Sequence, residues 1–436
     1  MKPLNIAILG LGTVGGGTFD VLTRNAEEIS RRAGRAINIV AVGARSPERA
    51  IKRMSGATIP VMSLDEAVDS SNVDVVVETL GGYEPAKTLI LKAIANGKHV
   101  VTANKALLAM HGDEIFTAAR AKGVIVAFEA AVAGGIPIIK TLRESLVANR
   151  IEWIAGIING TTNFILSEMR SKGLAFADVL KAAQEKGYAE ADPTFDIEGI
   201  DAGHKVSILA SLAFGIPLSF TKAHVEGITK IDAMDIRYAE EMGYRIKLLG
   251  IARRRANGIE LRVHPTLIPA KRLIANVEGV MNAVLVKGDA AGATLYYGAG
   301  AGASPTASSV IADLVDVARL IDADAAHRVP YLAFHHDRIG TEPVLPIDEV
   351  ESSYYVRLRV DDKPGVLADI TRVLADNNIS IDAMLQKEPE EGEAQTDIIL
   401  LSHETIEKNI KRAIANIEAQ KSTRGKIVML RLENLA

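Results

Sequence analysis

Short apolar runs alternate with amphipathic stretches over the first 130 residues. The runs "LNIAIL" (4–9), "INIVAVGA" (37–44), "VDVVVETL" (73–80), "KHVVTA" (98–103) and "GVIVAF" (123–128) are nearly continuous in Val and Ile. Such runs mark parallel strands covered on both faces, and strand–helix alternation predicts a doubly wound α/β sheet. From about residue 150 the texture changes. "RIEWIAGII" (150–158) reads as a strand, and helices are predicted near 162–172, 176–187 and 201–214. Further strands are predicted near 246–252, 259–266, 280–286 and 293–297, giving a mixed α+β unit. "GAGAGASPTASSVIADLVDVARLI" (298–321) is a glycine-rich loop feeding a helix. Segment 337–350 has turn signals and little periodicity, so it reads as a linker. After it, "YYVRLRV", "GVLADITRVLADNN", "ISIDAMLQ", "TDIILLSH", "TIEKNIKRAIANIEAQ" and "KIVMLRL" spell β-α-β-β-α-β, the ferredoxin-like order. The expected division is a doubly wound unit over 1–135 completed by about 303–325, a central unit over 136–302, a linker over 326–351, and a ferredoxin-like unit over 352–436.

Charge and composition then remove whole classes of function. A net charge of −4, with no basic run, argues against nucleic-acid binding. There is no cysteine, which excludes disulfides, thiolate metal sites and a cysteine nucleophile, and which fits a reducing cytosol. No apolar stretch approaches the roughly 18 residues of a membrane span. The expectation is a water-soluble, cytoplasmic protein.

Candidate chemistry begins at "GLGTVGG" (10–16), where Gly10, Gly12 and Gly15 follow a strand and open a helix through Thr13 and Val14. Glycines at this spacing permit the tight turn and bring a pyrophosphate onto a helix N-terminus, so the segment predicts a dinucleotide site. The second strand ends in Ala44-Arg45, where NAD-binding folds usually carry an acid for the ribose 2′-hydroxyl. Arg45, with Arg53 as a second cation, suits a 2′-phosphate. NADP(H) is therefore favoured and NAD(H) comes second. Lys105, at the carboxyl end of the fourth long strand, either touches cofactor or substrate or begins its helix in solvent.

"EKGYAEADPTFDIEGIDAGHK" (185–205) gathers six carboxylates, two lysines and a histidine. Asp201 and Lys205 are four apart on a predicted helix and share a face. Lys205 either snorkels out or sits in a dry site where its pKa falls and proton transfer becomes feasible. "FEAAVAGGIPII" (128–139) offers main-chain carbonyls for a hard cation, or serves as an interdomain hinge.

Together, "GLGTVGGG", "TANKALLA", "EAAVAGGIP", "NGTTNFIL", "KGYAEADPTFDIEGIDAGHK" and "GAGAGASPTASSVIAD" resemble the homoserine dehydrogenase family over essentially the whole chain. "DDKPGVLADITRVLADNNISI" (361–381) is similar to an ACT domain, a module that binds small amino acids. The resemblance is to the monofunctional form. It implies a Rossmann unit, a substrate and dimerisation unit, and reversible NAD(P)-dependent reduction of L-aspartate 4-semialdehyde to L-homoserine, on the route to threonine, isoleucine and methionine. Carried over residue by residue, it makes Lys205 the general acid/base, Asp201 its carboxylate neighbour, and Glu190 the holder of the substrate amino group, with Asp196 close enough to assist. Lys105 and Gly187 become cofactor and active-site contacts, and Gly302 belongs to the loop that returns to the cofactor. Glu129, Val132, Gly134 and Ile136 match a monovalent, sodium-type cation site built mainly from backbone carbonyls. A homodimer or homotetramer and feedback by threonine complete the expectation.

Rival chemistries fare worse on the residues themselves. An aspartate-semialdehyde dehydrogenase needs a cysteine thioester. A lactate- or malate-type enzyme needs a His–Asp pair, and His204 has no suitable partner pattern. A non-catalytic sensor would have no use for a proton donor beside the nicotinamide.

Overall fold

The computed structural model describes residues 2–54, 56–387 and 393–436. Six strands make the first sheet: β1 (Leu4–Leu9), β2 (Ile37–Gly43), β3 (Val61–Met62), β4 (Val75–Glu78), β5 (His99–Thr102) and β6 (Val126–Ala127). They pair in the order β3-β2-β1-β4-β5-β6, every pairing parallel. Helices α1 (Thr13–Arg24), α2 (Ala26–Ala33), α3 (Pro47–Arg53), α4 (Leu64–Asp69), α5 (Ala86–Ala95) and α6 (Lys105–Lys122) alternate with them. The expected doubly wound sheet is present, and the order turns back between β1 and β4. The carboxyl ends of the strands there open the crevice where such sheets bind ligands. Strand β3 escaped the sequence reading because two residues carry no periodicity.

The second sheet has eleven strands. They are β7 (Ile151–Ile157), β8 (His224–Val225), β9 (Tyr244–Arg255), β10 (Gly258–Pro269), β11 (Met281–Gly288), β12 (Gly292–Ala299), β13 (Glu351–Asp361), β14 (Ile381–Gln386), β15 (Gln395–Ser402), β16 (Thr405–Ile406) and β17 (Thr423–Leu432). The order is β12-β11-β7-β9-β10-β17-β13-β15-β14, with β8 on β10 and β16 on β13. The chain also forms α7 (Ile138–Lys140), α8 (Gly160–Lys172), α9 (Phe176–Glu185), α10 (Thr194–Ile197), α11 (Ile200–Phe214), α12 (Ala233–Glu241), α13 (Ala303–Leu320), α14 (Val366–Asp376) and α15 (Glu407–Glu418). Helix α11 is buried from Asp201 to Phe214 and lies on β9 and β10. No helix among the described residues is long and apolar enough to cross a membrane.

One junction was invisible in the pattern of apolar residues. The ferredoxin-like strands form no sheet of their own, because β17 pairs antiparallel with β13 and parallel with β10, at Thr266↔Arg431 and Leu267↔Leu432. The linker is also engaged. Ile259 N donates to Pro343 O (2.8 Å) and Leu345 N to Ile259 O (2.9 Å), so this segment lies along β10.

Charges buried across the junction explain why it stays closed. The guanidinium of Arg262, wholly buried, donates to Glu260 Oε2 (2.9 Å) and to Glu433 Oε1 (2.5 Å). Its Nη1 lies 2.7 Å from His264 Nε2; an arginine can only donate, so His264 accepts there. Arg431, equally buried, binds Glu226 at 2.9 Å and Glu407 at 2.6 Å. A buried ion left without its partner costs several kcal/mol. Glu433→Ala is expected to destabilise the chain by about 3–5 kcal/mol, read as a lowered urea midpoint at fixed protein concentration.

Candidate active site

Between β1 and α1 the chain turns on Gly10, whose φ of +86° is left-handed. Gly12 caps α1 without a side-chain bond, and a Cβ placed on it would meet nothing within 4 Å. A Cβ on Gly15 would fall 1.9 Å from Gly10 O and 2.6 Å from Thr79 Oγ1. Gly15 therefore lets the helix press against the turn, while Gly12 leaves open ground over N–H groups that have no intrahelical partner. Thr13 is exposed and Val14 half-buried in the first turn. These residues fit a dinucleotide pyrophosphate.

Gly302, at φ +115°, caps α13, and α13 begins against α1: a Cβ on Gly17 would lie 2.4 Å from Ala303 O. At the end of β2 no acid follows; Ala44 is half-buried and Arg45 exposed. Arg53 is already engaged, since its guanidinium lies over Gly16 and pairs with Asp20 of α1 (Nη1–Oδ1, 3.0 Å). Arg45, directly after β2, has no carboxylate partner among the described residues.

Across the crevice, Asp201 and Lys205 stand one turn apart on α11. Lys205 Nζ donates to Asp201 Oδ2 (2.6 Å) and to the carbonyl of Ile158 at the end of β7 (2.7 Å). On the other side, Lys105 Nζ lies 3.1 Å from Asp201 Oδ1. Lys105 is aimed by Asn104, which caps α6 by accepting from Leu107 N and donates to Gly82 O (2.7 Å). Asp201 is 3% exposed and Lys205 8%.

Burial alone would raise the Asp201 carboxyl, but the charges of Lys205 and Lys105 outweigh it and hold the group well below the usual range. Burial, with the Lys105 charge adding to it, lowers Lys205 from the ordinary lysine value, and Asp201 resists that fall. The Asp201 charge raises Lys105 against its own burial. The result is an anion held between two cations, one of them poised to lose its proton.

Asp196 is half-buried and raised by burial, and Glu190 is exposed. Both carboxylates act on Lys105 and lift it. Gly187, exposed at φ +72°, turns the chain after α9, and a Cβ placed on it would meet nothing within 4 Å.

The loop from Glu129 to Ile136 is tied to α13 rather than to the acid–lysine cluster. Glu129 accepts from Ile139 N (2.9 Å) and Lys140 N (2.8 Å), while its own N–H donates to Asp313 Oδ2 (2.7 Å). Burial and the Glu129 charge push the Asp313 carboxyl up to about 7. Gly134 O accepts from Ser309 Oγ (2.6 Å), Ile136 O from Ile138 N (2.8 Å), and Val132 is wholly buried. Two of the four carbonyls expected to hold a cation therefore already have protein donors.

Comparison with known proteins settles the family. The homoserine dehydrogenase NAD-binding domain model matches residues 10–129, the homoserine dehydrogenase model 137–315, and the ACT domain model 354–421. The homoserine dehydrogenase of Pseudomonas aeruginosa is 60% identical over 435 residues, covering 100% of both chains. A crystal structure of a homoserine dehydrogenase from Thiobacillus denitrificans superposes at a TM-score of 0.96 and 64% identity, covering 100% of this chain and 99% of that one. The chain belongs to the homoserine dehydrogenase family. It is accordingly an NAD(P)-dependent oxidoreductase acting on a CH–OH group. A hyperthermophilic archaeal homoserine dehydrogenase solved with NADPH is more distant, at 27% identity and a TM-score of 0.63, covering 74% of this chain and 100% of its own.

Within this homoserine dehydrogenase site, one residue the sequence reading passed over connects the carboxylates. Asn159 Nδ2 donates to Asp196 Oδ1 (2.7 Å) and to Asp201 Oδ2 (2.9 Å). Its Oδ1 accepts from Thr162 N (2.9 Å), capping α8. The signal was there: an Asn opening "NGTTNFIL" is a helix-cap residue whose amide is free to face the site. His204 is a different matter. It is buried between Phe195 and Phe220, neither ring nitrogen has a partner among the described residues, and burial lowers it to about 4, so it packs as a neutral ring.

Asn159→Ala removes cap and amide together, whereas Asn159→Asp keeps an acceptor for the cap and loses the donor. Both are expected to lower kcat/KM for homoserine by about 10- to 100-fold, the worth of a hydrogen bond to a charged group. Wild-type kinetics in Asn159→Asp would reduce Asn159 to a helix cap.

Proposed function

We propose that the chain interconverts L-aspartate 4-semialdehyde and L-homoserine with NADP(H) as the preferred cofactor. The observation that carries this reading is the Lys105–Asp201–Lys205 cluster at the carboxyl edge of the nucleotide-binding sheet, with Asp201 and Lys205 buried and Lys105 partly exposed. The nicotinamide, when bound, supplies or accepts the hydride. Lys205 Nζ gives a proton to the carbonyl oxygen of the aldehyde as negative charge develops there, and takes it back from the hydroxyl in reverse. Asp201 keeps both ammoniums in place. Glu190 receives the substrate amino group, with Asp196 beside it, and Lys105 and the Gly187 turn face cofactor and substrate.

The preference for NADP(H) rests on Arg45 and the missing acid after β2, and the archaeal relative's NADPH is consistent with it. A monovalent cation at the carbonyls of Glu129, Val132, Gly134 and Ile136 would use lone pairs that Ser309 and Ile138 leave free, and would stiffen the passage from β6 to β7. Threonine is the proposed effector of the ACT domain. Gly365, at φ +93°, follows Pro364 and caps α14 without a side-chain bond, which leaves the first N–H groups of the helix to receive the effector's carboxylate in this proposal. A homodimer or homotetramer working in the cytoplasm completes the proposal. All of it serves the synthesis of threonine, methionine and isoleucine.

The decisive assay follows nicotinamide absorbance with L-homoserine and NADP⁺, then with NAD⁺. Lys205→Ala should leave NADP(H) binding intact and lower kcat by ~10²-fold or more; near-normal turnover would sink the assignment. The pH dependence has a definite sign. Oxidation needs neutral Lys205 and reduction needs it protonated, so kcat for oxidation should rise with pH and that for reduction should fall. The midpoint should lie below that of an ordinary lysine, because burial lowers this one.

The regulatory reading is tested on the full chain, because cutting away β17 would strip Glu433 from Arg262 and Arg431 from Glu226. Threonine is expected to inhibit homoserine oxidation saturably. A flat response into the millimolar range would remove it as effector.

A further inference from the structure

The two helices that build the acid–lysine cluster share a second feature at their far ends. α6 starts at Lys105 and α11 starts beside Asp201, so their N-termini meet at the Lys105–Asp201 pair. They pack along each other. Midway along α6, Gly112 presses on Leu218, and at the far end of α11 its cap Gly215 lies against the Phe334 ring. There a cavity of about 530 Å³ opens between α6 and the segment 325–339.

Its walls divide by chemistry. Phe116 and Tyr331 stack at 5.3 Å and 13° between planes, and the Tyr331 hydroxyl binds the Val124 carbonyl. Val329 and Phe334, both lining the cavity, stand 41% and 37% exposed. Two guanidiniums, of Arg120 and Arg328, also line it. Arg328 holds the segment down by donating to Gly123 O and Ala323 O (both 2.8 Å), yet its Nε is buried without an acceptor. Among the described residues, neither Arg328 nor Arg120 pairs with a carboxylate. His335 and His336 join them, and Asp113 is the single acid in the lining.

Volumes of this size with aromatic walls and few polar groups are typical of small-molecule sites, and a guanidinium without a carboxylate is a receptor for one. We propose that this cavity is a second ligand site, for a small aromatic carboxylate whose ring lies along Phe116, Tyr331 and Phe334 and whose anionic group meets Arg120 and Arg328. Because the same two helices end here and begin at the ion pair, occupancy is coupled to turnover.

The full-length enzyme, saturated with NADP⁺ so that the nucleotide site is filled, would be titrated with 8-anilinonaphthalene-1-sulfonate, an aromatic anion that fluoresces when bound in apolar surroundings. Saturable binding displaced by phenylacetate is expected. Thr117→Phe fills the cavity from α6 and Arg120→Glu reverses its charge; each should weaken probe binding by about tenfold or more. Neither residue belongs to the catalytic cluster, so thermal midpoint and probe-free homoserine oxidation should be unchanged. Equal probe binding in wild type and both variants would overturn the site, as would its loss on adding NADP⁺ alone. Saturation of the probe with no change in kcat or KM for homoserine would overturn the coupling.

Discussion

A carboxylate with almost no contact with water sits between two ammoniums carried by different helices, Lys105 of α6 and Lys205 of α11. Removing Asp201 from solvent is expensive, and only the charges of Lys105 and Lys205, with the amide of Asn159, offset that cost. The arrangement therefore constrains everything around it. Lys105 must arrive from the end of β5, so the nucleotide-binding sheet is held at a fixed place against α11. Lys205 must keep its stem in the apolar row of the helix and its Nζ on Ile158 O, so β7 must end where it does. Chemistry and domain geometry rest on the same ion cluster, and neither can drift without exposing the other.

The second constraint is the charge network buried between β10 and β17. It makes the ferredoxin-like unit a continuation of the catalytic sheet. Helix α11 lies on β9 and β10, so a shift of β17 bears on the surface that carries Asp201 and Lys205. An amino acid bound far from the active site would thus act through strand pairing and buried arginines, with no need for a flexible tether.

Much of the fold was legible because it depends on local pattern. The Val- and Ile-rich runs marked the parallel strands, the glycine spacing marked the turn into α1, and the one-turn separation of Asp201 and Lys205 put them on one face. At the candidate site the local pattern left Lys205 open between snorkelling and a dry site; the structure buries it against Asp201 and the Ile158 carbonyl. What was not legible depends on partners far along the chain. Nothing in "KIVMLRL" announces a parallel pairing with β10, and nothing in Arg53 announces Asp20. Asn159 was quoted within a motif and still passed over, because its two acceptors lie 37 and 42 positions away. The cavity under Phe334 is formed by a segment with no periodicity to read.

The pairing of Thr266 with Arg431 also has a history in time. Non-local strand pairing is slow, since a long loop must close before any contact rewards it. While the ribosome is still adding the stretch between them, β10 presents an open edge and Arg262 lacks Glu433. The junction of β10 with β17 is therefore a late product of synthesis, formed after β7, β9, β10, β11 and β12 have been made. Cells that make this protein have reason to shield that edge until β17 arrives.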